Sequence, residues 1–148
     1  MHSSLRLSSI IILLSTLLLP LTAHAQGTFT NLGQPIHNII NEDSEVGIEN
    51  NKAVEYIVIK GANNSTTFDV VDIQSGTVLK KIPLPGVSGS WAVQQASDGK
   101  VYIGSHYKAC FYQYIPGSDH ITNLGVLGNE THVFDMASGK DGKIYASL

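Results

Sequence analysis

His106 and His132 are the side chains of this chain best suited to accepting a proton, and Tyr107 is the matching acid. Trp91 and Tyr107 add aromatic faces of the kind that stack on sugar rings, with Lys108 and Asn129 as polar company. Each has a plainer reading. Trp91 has the bulk of a core residue that packs between sheets, and both histidines lie in polar stretches where solvated loop histidines are common. Catalysis is therefore an open assignment for His106, Tyr107 and His132. Ligand contact is expected of Trp91, His106, Tyr107, Lys108, Asn129 and His132. The six histidines and single cysteine show no ligand spacing, so no metal is expected, and no cofactor motif is present. Cys110 sits in the apolar run Ala109-Cys110-Phe111-Tyr112 and reads as a buried thiol.

These residues act together only if the fold gathers them, and the fold is announced by a repeat. Ser90 to Gly104 lies without a gap over Ser44 to Val58; Val133 to Ser147 is a third copy, read with one extra residue before its turn. Tyr56, Tyr102 and Tyr145 anchor the copies at separations of 46 and 43. Thr30-Asn31-Leu32-Gly33 recurs as Thr122-Asn123-Leu124-Gly125, an offset of 92, twice the first period. One period reads as four short strands: 91–96, 101–105, 110–115 and 121–127. Asp98-Gly99 supplies a two-residue hairpin turn and Pro116 to Asp119 another. The preceding period gives 54–60, 66–73 and 77–84, and no stretch after the leader has a helical period. The expected class is all-β. Four antiparallel strands per period is the unit of a β-propeller, whereas a β-sandwich gives no reason for a fixed spacing.

On that plan the chain holds a leading strand (28–36), blades at 45–84 and 91–127, and an incomplete third at 133–148. That is about 2.7 blades of a ring that needs 4–8. The expectation is the amino-terminal part of a longer propeller, with its remaining blades as partners. Loops joining second to third strands, and one blade to the next, should share the face around the channel mouth. His37, 61–64, 87–90, His106-Tyr107-Lys108 and Asn129 to His132 fall there. Asp98 and Asp141 fall on the opposite face as turn formers rather than metal ligands.

The segments SDGKVYIGSHYKACFYQYIPGSDHITNLG and GKDGKIYASL resemble blades of large secreted bacterial propeller families. These are the YVTN and NHL-like repeats, quinoprotein-like propellers, and the propeller scaffolds of some polysaccharide lyases. The Trp-Asp pair of WD repeats and the Gly-Gly pair of kelch repeats are missing. Residues 1–25 read as a secretory signal: Arg6, the apolar run Leu7 to Leu21, then Ala23-His24-Ala25, which makes the protein secreted or extracytoplasmic. That run is shorter than a bilayer span. The chain's formal charge is −3 and its one arginine, Arg6, lies in the leader, which argues against nucleic acid. The resemblance implies a module that binds carbohydrate or protein at the mouth, or, alternatively, the opening part of a polysaccharide lyase or lactonase-like hydrolase using His/Tyr acid–base chemistry. Scarcity of cationic side chains weighs against an enzyme acting on an acidic polymer.

Overall fold

Ten strands and no helix make up the described residues, 40–60 and 65–148, of the computed structural model. The signal segment, the leading strand at 28–36, His37 and the loop 61–64 lie outside the described residues. Sheet A runs in the order β1 (Ile40–Glu49), β2 (Lys52–Lys60), β3 (Thr66–Asp72), β4 (Thr77–Pro83). Sheet B repeats the plan with β5 (Ser90–Gln95), β6 (Val101–Ser105), β7 (Cys110–Tyr114) and β8 (Ile121–Val126). Hairpin C is β9 (Asp135–Ser138) with β10 (Ile144–Ser147). Every pairing is antiparallel between sequence neighbours. The described residues are all-β, as their alternation of apolar residues and turn chemistry requires.

Alternation decides what is buried. Val54, Tyr56 and Val58 on β2 and Phe68 and Val70 on β3 point from one face of sheet A. They meet Val93, Val101, Ile103, Tyr112 and Tyr114 of sheet B in the largest core. The other face of sheet B packs Ala92 and Tyr102 against Val133, just before hairpin C, and against Met136 and Ile144 within it. Gly104 permits this approach, because a Cβ there would strike Val133 Cγ1. The first strands consequently lie side by side, β1 beside β5 and β5 beside β9.

The two sheets share their irregularities as well as their strands. Bulges interrupt β1 at Glu42 and β5 at Trp91. Others fall in β4 at Leu79 and in β8 at Leu124. In β8, Gly125 takes φ +103, a conformation favouring glycine, which accounts for the Leu-Gly pair after Asn123.

Three sequence expectations need correcting. The turn at Asp98-Gly99 is a three-residue loop: Ala96 N donates to Lys100 O (2.8 Å) and Gly99 N to Ala96 O (2.9 Å). Gly139 and Gly142 repeat that pattern 43 residues on, at 2.8 and 3.1 Å, so the third copy has no extra residue. In sheet A the hairpin instead extends to a tight turn at Asn50-Asn51, both at positive φ (52 and 61). It is three residues longer than its counterpart, so Ser90 corresponds to Asn41 and not to Ser44. Gly99 has φ +83 and open space where a Cβ would lie, so Gly99→Ala should cost about 1 kcal/mol through backbone strain alone. Thermal unfolding checks this.

Candidate functional site

Bulged strands re-aim side chains, and here two bulges fall near one end of the sheets. The register of β1 skips Glu42 and that of β5 skips Trp91. Phe134, immediately before β9, occupies the matching place 43 residues after Trp91. Ser90 holds the second bulge, its Oγ donating to Gly104 O at 2.7 Å. Glu42 and Phe134 were not foreseen from sequence.

Beneath these residues lies His106, 1% exposed at the end of β6. Its Nε2 stands 2.6 Å from Glu42 Oε2, which also accepts from Ser90 N at 3.0 Å. A carboxylate only accepts, so Nε2 carries the proton. Nδ1 is buried and unpartnered. Both ring nitrogens are thus withdrawn from solvent. His106 acts here as a support: its ring packs on Trp91 at 4.8 Å between centroids.

Above it the rings form a platform. Trp91, His132 and Phe134 are mutually stacked at 5.4, 5.6 and 5.5 Å, with interplanar angles of 14°, 23° and 16°. Trp91 is 38% exposed, which makes it a surface residue of this platform and not inter-sheet core. Phe134 is 53% and Tyr107 64% exposed. Tyr107 tilts at 57° to His132 and meets His106 edge-on at 73°. Hydrogen-bonded sides hold its loop: Ala109 N donates to Thr131 O at 3.0 Å and His106 N to Gly89 O at 3.2 Å. That restraint keeps Tyr107 at φ 66, a strained value for a bulky residue and a mark of functional loops. His132 Nδ1 is engaged by Thr131 Oγ1 at 2.6 Å, which leaves Nε2 as its remaining nitrogen.

The structure therefore gathers Trp91, His106, Tyr107 and His132, although 26 residues separate the two histidines. It does not gather Lys108 and Asn129. Both are exposed, and no ring contact or hydrogen bond among the described residues ties either to the cluster. No group of metal-ligating side chains occurs among the described residues.

Carboxylates edge the platform. Asp43 Oδ2 accepts from Val93 N at 2.6 Å, two residues from Trp91. Burial pushes Asp43 above the ordinary carboxylate range, opposed by that bond and reinforced by Asp135. Burial likewise raises Glu45, with Asp43 adding to it. A carboxyl that holds its proton more firmly when folded stabilises the fold as pH falls, and this gain is lost as pH rises through its folded pKa. Asp43→Asn keeps an acceptor for Val93 N and removes the charge. We expect a gain below about 1 kcal/mol at pH 7 that shrinks toward pH 4, read by thermal unfolding at both values.

No protein-family model and no curated protein matches the chain.

Proposed function

We propose that the chain forms consecutive blades of a β-propeller from an exported protein, and that its mouth face binds carbohydrate. The propeller reading is supported by two four-stranded meanders built on one plan and by first strands that neighbour one another in order. The described residues do not close a ring. The signal-like leader supports export.

The observation that carries the binding assignment is the platform of Trp91, His132 and Phe134. Three near-parallel rings, two of them well exposed, form an apolar aromatic cluster at the surface with polar residues nearby. The C–H faces of pyranose rings dock on such surfaces, and the neighbouring carboxylates accept hydroxyl protons. Exposed aromatic rings have little reason to be held in one geometry unless something covers them, and here the part-buried His106–Glu42 pair lies under Trp91. At His106 binding support suits the geometry better than proton transfer, because that ring presents no free nitrogen to solvent.

Calorimetric titration with neutral oligosaccharides tests the assignment. Trp91→Ala should weaken binding tenfold or more, the loss typical of a buried aromatic anchor, with little change in unfolding temperature. Equal affinity in wild type and variant would remove the platform from the binding site.

A further inference from the structure

The charges around the platform choose among sugars. Among the described residues, its end of the sheets carries four carboxylates, Glu42, Asp43, Glu130 and Asp135, against two lysines, Lys60 and Lys108. Lys60 is drawn to Glu42, at 3.9 Å, and Glu42 is committed to His106 and Ser90. Asp43 and Asp135 have no cationic partner among the described residues, and they stand at equivalent positions on either side of β5, close enough to repel one another. Trp91, the bulged residue of β5, lies on the strand between them, and Phe134 immediately precedes Asp135. A ligand lying on these rings is held against unneutralised negative charge.

We infer that the platform accepts neutral glycans, favours those bearing an amine, and rejects those bearing carboxylates. This rests on the platform reading and adds its ligand class. An ammonium group gains twice at this site, from the aromatic faces and from Asp43 and Asp135. A uronate brings like charge to the same carboxylates without an arginine to receive it.

Three probes of equal length decide the matter: a glucose oligosaccharide, a glucosamine oligosaccharide and a galacturonate oligosaccharide. They are titrated into the full chain at about 0.01 M ionic strength, where charges act over roughly 30 Å. The glucosamine probe should bind about five- to tenfold more tightly than the glucose probe, and the galacturonate probe at least about tenfold more weakly. In Asp43→Asn and Asp135→Asn the ratio of glucosamine to glucose affinity should fall toward one, whatever each substitution does to glucose affinity itself. Galacturonate binding as tight as glucose, or an amine preference untouched by both substitutions, would overturn the inference. Failure of all three probes to move wild type would instead overturn the platform reading beneath it.

Discussion

Lys80→Met is expected to destabilise the fold by about 3 kcal/mol, the largest single effect anticipated here. Lys80 leaves β4 to reach Glu49 Oε1 at 2.9 Å, while Tyr114 on β7 donates to Glu49 Oε2 at the same distance. Glu49 is buried, and Lys80 also donates to Tyr114 Oη at 3.2 Å and Ser118 O at 2.6 Å. The three side chains tie sheet A to sheet B through polar contacts at one end of the largest core. Burial alone would lower Lys80, but its bonds to Glu49 and Tyr114 outweigh that and hold it above its usual value. Removing the ammonium leaves a carboxylate in the interior without its counter-charge, and that penalty is the greater part of the loss. Lys80→Met combined with Glu49→Leu should therefore be less destabilised than Lys80→Met alone. Urea midpoints at unchanged slope give both numbers.

Gly89→Ala is expected to cost about 2 kcal/mol and to weaken carbohydrate binding. Gly89 has no unusual demand on its own backbone; the constraint is what stands over it. A Cβ there would collide with Glu42 Oε2 and with His106 Nε2, the two atoms whose hydrogen bond supports the platform. Glu42 is flexible and gives way first, which strips His106 of its partner in a buried place and releases Ser90 N as well. The stability loss is the desolvation penalty of those orphaned groups. The binding loss follows because the Trp91 ring rests on His106. Glu42→Gln provides the conservative comparison: its amide oxygen can still accept from Nε2, so binding should fall less than in Gly89→Ala.

The strands were legible because their signals are local and repeated. Alternating apolar residues, Asp-Gly turns and tyrosines at a fixed spacing place β2 through β8 within a residue or two of the observed ends. Sorting loops by face from the sequence also puts His106, Tyr107 and His132 at one end, with Trp91 nearby. Bulges left no such trace. Nothing in Asn41-Glu42-Asp43 marks Glu42 as the residue that loses its pairing partner, and a gapless superposition conceals it. That superposition fails because the first hairpin is three residues longer, a length set by Asn50-Asn51 at positive φ and not by any apolar pattern. Phe134 is hidden for a related reason: its match to Trp91 shows only when the third copy is laid over the second without a gap, at an offset of 43.

Burial was the other blind spot. His106 reads as a loop histidine from sequence, yet the ring is enclosed because Gly89 and Glu42 arrive from a distant part of the chain. Trp91 reads as core, yet the bulge rotates it outward to meet Phe134 and His132. The two residues exchange the roles that composition assigns to them. That exchange leaves His106 under the Trp91 ring with neither nitrogen free to solvent.

Trp91 is the only tryptophan in the chain, so its emission reports the site without labelling. Titration of the full chain with a neutral oligosaccharide, followed by intrinsic fluorescence, is the most direct test of the platform. A sugar lying on the indole displaces water from its exposed face, so a saturable shift of the emission to shorter wavelength is predicted. Emission that stays fixed over the whole titration, with the protein still folded, would contradict the account.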